Sequence, residues 1–138
     1  MKRIDKEYIL VDTSVWVNFF KDIPTKSSDF LNDNLDNIII TTCPTIVQEV
    51  LQGVVSNKDR QTVGLYFNGF TRLSEDSYQL AVQAADLYRS LRKEGITIRK
   101  PNDCLIAAYA IKNNLALLHD DKNFEFIASK SSLKTVKF

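Results

Sequence analysis

The segment Ile38-Ile39-Ile40-Thr41 leaves the backbone few choices. β-Branched side chains are stiff at χ1 and favour an extended chain. With no polar residue among the three isoleucines, both faces of that strand need cover. Tyr8-Ile9-Leu10-Val11 and Leu115-Ala116-Leu117-Leu118 read the same way, and Arg72-Leu73 and Leu133 to Val136 are shorter strand candidates. Between these runs the pattern turns helical. It is most regular from Asp76 to Glu94, where Leu80, Ala81, Ala84, Leu87, Tyr88 and Leu91 recur at helical spacing before Gly95. Further helices are expected through Val15 to Phe20 with Ser14 as cap, over Ser28–Leu35, and from Thr45, behind Pro44, to near Gly53. Three more are expected over Asn57–Gly69, Asn102–Asn113 and Asn123–Ala128. Short buried strands alternating with helices predict an α/β protein whose central, mainly parallel sheet is covered on both faces. No repeat, low-complexity tract or linker divides the chain, and 138 residues suit a single domain spanning 1–138.

Four acids interrupt this apolar scheme. Asp12 follows the first strand, Glu49 lies in Ile46-Val47-Gln48-Glu49-Val50-Leu51, Asp103 follows Pro101-Asn102, and Asp121 follows Leu118-His119-Asp120. In open parallel sheets the ligand crevice lies beyond the carboxyl ends of the strands. Asp12 and Asp120-Asp121 fall at strand ends. Glu49 and Asp103 fall in the early turns of helices that start on that same side. Four carboxylates buried together are costly unless positive charge sits among them. Hard oxygen ligands suit Mg²⁺ or Mn²⁺, and such ions clamp phosphates and activate water for phosphodiester cleavage. Taken singly, each acid has an ordinary reading as a helix cap, a turn residue or an exposed edge. Asp120 competes with Asp121 for the fourth place.

Composition narrows the alternatives. A hydrophobic fraction of 44% belongs to a chain that folds. The apolar runs are too short to span a membrane, which takes about 20 residues, and the charged start shows no signal-peptide pattern. Cys43 and Cys104 are the two cysteines and form no Cys-x-x-Cys pair. They read as reduced, buried thiols of a cytoplasmic protein, not as a zinc site. A net charge of +1 gives no overall basic signature for tight binding to long nucleic acid. A local basic cluster, Arg89, Arg92, Lys93, Arg99 and Lys100, does precede Asp103. It reads as a solvated face, or as a contact for RNA backbone or an acidic protein segment. His119 is the sole histidine, and no Gly-x-Ser-x-Gly elbow supports an acyl-transfer triad. Trp16, Phe19 and Phe20 suit core or dimer packing, with base stacking the sharper alternative.

Taken in order, Val11-Asp12-Thr13-Ser14-Val15-Trp16, Gln48-Glu49-Val50-Leu51-Gln52-Gly53, Asn102-Asp103-Cys104-Leu105-Ile106-Ala107-Ala108 and His119-Asp120-Asp121-Lys122-Asn123-Phe124 form a pattern. The chain resembles the PIN-domain ribonucleases, most of all the VapC-type toxins of toxin–antitoxin pairs. The resemblance covers nearly the whole chain and implies a three-layer α/β/α domain. It implies Mg²⁺ or Mn²⁺ held by Asp12 and Asp103, with Glu49 and Asp121 completing the catalytic acids. Ser14 then supports the first aspartate. Read from their places beside the acids, Asn102 and His119 are further supporting residues, and Arg92, Arg99 and Lys100 contacts for RNA or antitoxin. An endoribonuclease leaving 5′ phosphate and 3′ hydroxyl ends is implied, as are a homodimer and an antitoxin whose tail blocks the pocket. An RNA-processing or DNA-flap nuclease, or a non-catalytic binding module, is the alternative on the same fold. The chain departs from the family pattern in having Asn123 where a further acid is frequent, and in the residues Met1 to Glu7 ahead of the first strand.

Overall fold

The computed structural model describes residues 6–138. Of the charged leader, Met1 to Asp5 lie outside the described residues, while Glu7 opens the first strand. The chain runs β1 (Glu7–Val11), α1 (Thr13–Phe20), α2 (Lys26–Asp33), β2 (Ile38–Thr42), α3 (Pro44–Gln52) and α4 (Asn57–Asn68). It continues through β3 (Thr71–Arg72), α5 (Ser77–Lys93), α6 (Pro101–Lys112), β4 (Ala116–Leu118), α7 (Lys122–Ser129) and β5 (Lys134–Thr135). Each strand and helix expected from sequence is present, with ends shifted by a residue or two. The strands form a parallel sheet in the order β3-β2-β1-β4-β5. Helices cover it in an α/β/α arrangement.

The two central strands are the most apolar. Ile9, Leu10 and Val11 of β1 and Leu117 and Leu118 of β4 are essentially without solvent contact. The order places the topological switch between them: the chain builds outward from β1 through β2 to β3, then returns to lay β4 on the other side. Loops leaving β1 and β4 therefore diverge and open a crevice at their carboxyl ends. The backbone N–H of Asp12 donates to the carbonyl of Leu118 at 2.9 Å, which ties the two strand ends together at that point.

Trp16 anchors α1. It is fully buried and stacks on Phe20 and Phe70 at centroid distances of 5.6 and 5.1 Å, with Phe67 also packed against it. Full burial excludes Trp16 from stacking on a base. Its indole Nε1 is buried without a hydrogen-bond partner, so packing of the ring, not a polar anchor, holds it. Both cysteines are buried free thiols, and burial pushes Cys43 up to about 12 and Cys104 up to about 11, which keeps them protonated and inert.

One cap differs from expectation. Ser14 does not cap α1; Asp12 does, accepting the N–H of Ser14. A carboxylate two residues upstream outcompetes the hydroxyl, because its charge also suits the helix N-terminus. The start of α2 likewise moves to a capping box, in which Thr25 and Ser28 each bond the other's backbone N–H.

Candidate active site

A cavity of about 310 Å³ at the switch point is lined by Asp12, Thr13, Ser14, Val17, Asn18, Glu49, Lys100, Asp103 and Asp121. All four predicted acids are among them. Two larger cavities, of about 920 and 770 Å³, flank α4 and are mainly apolar. Size alone would favour those as ligand sites. Neither gathers the acids, although the 770 Å³ groove shares Val17 and Glu49 with the acidic cavity.

Each acid is held by a neighbour that the chain supplies nearby. Asp12 Oδ2 accepts from the backbone N–H of Ser14 at 3.0 Å and from its hydroxyl at 2.6 Å. Glu49 Oε1 accepts from the Thr13 hydroxyl at 2.9 Å, joining α3 to the first residue of α1. Asp103 Oδ2 accepts from the side-chain amide of Asn123 at 3.1 Å. Asp121 caps α7, its Oδ1 taking the Asn123 N–H at 3.0 Å, while Lys100 Nζ stands 3.6 Å from its Oδ2. In Asp12, Glu49 and Asp103 the second carboxylate oxygen has no hydrogen bond to a described residue. Those oxygens remain available as donors to a cation.

Burial and mutual repulsion raise two of the acids. Asp12 and Asp103 are 3% and 5% exposed. Desolvation lifts Asp12 above the ordinary carboxylate range and Glu49 adds repulsion, against the lowering by Ser14. Desolvation is also the main cause at Asp103, pushed up to about 6; Asp12 and Asp121 add to it, and Asn123 and Lys100 oppose it. Such elevation is the mark of an acidic site short of positive charge.

Asp120 and Asp121 take different roles. Asp121 lines the cavity, whereas exposed Asp120 has its Oδ2 bonded by Asn18 Nδ2 at 2.9 Å and by the Thr25 hydroxyl at 2.8 Å. The N–H of Asp120 donates to Ser14 Oγ at 2.9 Å. Ser14 thus passes a hydrogen bond from the β4–α7 loop to Asp12. His119 supports the same loop: its Nδ1 accepts the N–H of Asp121 at 3.2 Å, so Nε2 carries the proton shared with Glu125 at 2.8 Å. That contact, with Lys137 adding to it, draws the Glu125 carboxyl below its usual range.

Not every expected residue joins the site. Asn102 is exposed and does not line the cavity; the residue that holds Asp103 is Asn123. Of the basic cluster, Lys100 lines the cavity, Arg92 lies 5.7 Å over the ring of Tyr88 on α5, and Arg99 is exposed. Thr13 and Asn123 were missed as supporting residues. A small hydroxyl beside the first acid and an amide two residues past the fourth were the available signals.

The donor set fits a hard divalent cation: carboxylate oxygens, two of them on acids raised chiefly by burial. Among the described residues no three His, Cys, Asp or Glu side chains stand close enough to form a ready-made metal cage.

A parallel sheet with carboxylates drawn around one pocket at its switch point marks the α/β nucleases. Residues 9–130 match the PIN domain family, and the chain belongs to that family. It is 33% identical over 132 residues to Ribonuclease VapC11 of Mycobacterium tuberculosis, covering 94% of this chain and 98% of the relative. VapC ribonuclease Mb1587 of Mycobacterium bovis matches to the same extent. Solved structures share the fold: VapBC2 from Rickettsia felis, crystallised on a promoter DNA fragment, superposes with a TM-score of 0.74 at 17% identity, over 95% of this chain and 98% of that one. VapBC-1 from nontypeable Haemophilus influenzae gives 0.71 at 19% identity, over 94% and 97%.

Proposed function

We propose that this protein is a divalent-metal-dependent endoribonuclease, the toxin of a toxin–antitoxin pair. The observation that carries the reading is the meeting of Asp12, Glu49, Asp103 and Asp121 around one small cavity, in a chain that matches VapC ribonucleases along 94% of its length. Mg²⁺ or Mn²⁺ is the cation that such oxygen donors favour. Asp12 and Asp103 would hold it, and Glu49 and Asp121 would complete the set. When bound, the cation lowers the pKa of its water and offsets charge on the phosphate.

The chain's own residues do the positioning. Ser14 and Asn123 fix one oxygen of Asp12 and of Asp103, which leaves the other oxygen directed by the rigid ends of β1 and α6. Thr13 turns Glu49 toward the cavity, where it serves as ligand or orients the attacking water as a base. Asp103, held above the ordinary carboxylate range chiefly by burial, would be favoured in its charged form by a cation bound beside it. Arg99 and Lys100, with Arg92 further off on α5, contact RNA backbone or an acidic antitoxin segment. The protein works in the cytoplasm as a homodimer, held inactive by a cognate antitoxin; a toxin–antitoxin complex from Klebsiella pneumoniae has the same fold. Among the described residues no helix is long and apolar enough to cross a membrane.

Purified protein, freed of antitoxin, should cut a cellular RNA pool at a few discrete sites with Mg²⁺ or Mn²⁺. EDTA and Asp103→Asn should each abolish cutting. Intact RNA under every cation, from protein shown to be folded, would refute the reading.

A further inference from the structure

Lys100 is the one positively charged side chain among the described residues lining the acidic cavity. It shares that cavity with four carboxylates and stands 3.6 Å from Asp121 Oδ2. The backbone fixes where it starts: Lys100 is the N-cap residue of α6, and its carbonyl accepts the N–H of Asp103 at 2.9 Å. Ile98, buried, pins the preceding loop. The side chain itself is 68% exposed, so its four-carbon stem swings freely about a fixed base.

We propose that Lys100 is a phosphate-contacting residue that doubles as the resident counter-cation of the acidic site. This deepens the nuclease reading and rests on it. In the free protein the ammonium partly neutralises Asp121 and Asp103. A hard divalent cation entering the cavity takes over those carboxylates, because double charge at short range outcompetes a solvated ammonium. Lys100 is then released at the rim. An RNA phosphodiester approaching the cavity meets it there, and the ammonium donates to a non-bridging phosphate oxygen. The same charge therefore acts in opposite directions on two ligands. It competes with the cation and recruits the RNA.

That opposition is the test. Lys100→Ala and Lys100→Arg are compared with wild type, with Asp103→Asn as the metal-site control and thermal unfolding to show that each variant folds. Divalent-ion binding is measured without RNA, by calorimetry with Mn²⁺. RNA binding is measured by anisotropy of a labelled, randomised single-stranded RNA in Ca²⁺ across a salt series. Lys100→Ala should bind Mn²⁺ about three- to tenfold more tightly. It should bind RNA about tenfold more weakly, with the salt slope reduced by about one. Lys100→Arg keeps the charge and should restore both. A residue that only supports the fold would weaken both ligands together, and that outcome overturns the proposal, as does unchanged binding of either ligand. Failure of the parent reading looks different: wild type itself would bind no RNA in any cation, whatever residue stands at 100.

Discussion

Replacing Asp103 by Asn should make the metal-free protein more stable while abolishing cleavage. Asp103 is 5% exposed, and its carboxyl is pushed up to about 6 from the 3.8 of a free aspartate. A group whose folded pKa is raised favours the fold when protonated. Its contribution is fully present below the unfolded value, near 4, and is lost as pH rises through about 6. A shift of that size corresponds to at most about 3 kcal/mol, at roughly 1.4 kcal/mol per pKa unit. The carboxylate faces a cavity that admits water, so screening reduces the figure to about 1–2 kcal/mol. Asn does not titrate, and its amide oxygen still accepts from Asn123. The variant should therefore match wild type at pH 4 and gain steadily to pH 6. At pH 8 it should melt roughly 3–7 °C higher, given the unfolding entropy of a domain this size. The assay is thermal unfolding in EDTA at closely spaced pH values. Added Mn²⁺ should reverse the ranking, since binding to the native state stabilises wild type and not the variant. Equal stability at pH 8, or a variant weaker at every pH, would show that the Asp103 carboxylate carries no penalty from burial and its acidic neighbours.

Other expectations follow from the same contacts. Ser14→Ala removes a hydroxyl that both donates to Asp12 and accepts from Asp120, and should cost about 1–3 kcal/mol in denaturant titration. It should also weaken Mn²⁺ binding roughly 10- to 100-fold by calorimetry, the usual effect of losing a residue that orients a ligand; unchanged ion affinity would mean that Asp12 is aimed without it. Asp121→Asn should lower cleavage far more than Asp120→Asn, because Asp120 is turned onto Asn18 and Thr25, and the reverse order in an RNA cleavage assay would exchange their roles. Trp16→Ala should cost about 3–5 kcal/mol in chemical unfolding through the cavity left among Phe20, Phe67 and Phe70, and a cost below about 1 kcal/mol would contradict its place at the centre of that cluster.

The residues that could be read from sequence were those whose type and place in the chain agree. Ile38-Ile39-Ile40 forms a strand, with Ile38 buried and Ile39 and Ile40 half-buried, and strands of that kind between helices leave few arrangements besides a covered parallel sheet. Once the sheet is parallel, an acid at the end of each central strand has one side to face. That is why Asp12 and Asp121 were legible, and why Asp103, in the first turn of α6, and Glu49, in the second turn of α3, joined them. The supporting contacts depend on distances the sequence does not carry. Asn102 stands beside Asp103 in the chain, but the first turn of α6 leaves it exposed. Asn123, twenty residues away, reaches Asp103 because α7 begins directly above the end of β4. Lys100 and Arg99 are equivalent as letters; only the turn into α6 puts one in the cavity and the other in solvent. The acids follow from strand order, whereas their partners follow from how helix N-termini meet over the crevice. The same N-termini explain the site's chemistry. Asp12 and Asp121 are each the cap of the helix that follows, so the carboxylate that starts the helix also lines the cavity. Capping takes one oxygen of Asp12 and leaves the other free, which is the division a carboxylate needs to be fixed by the protein and still bind a metal.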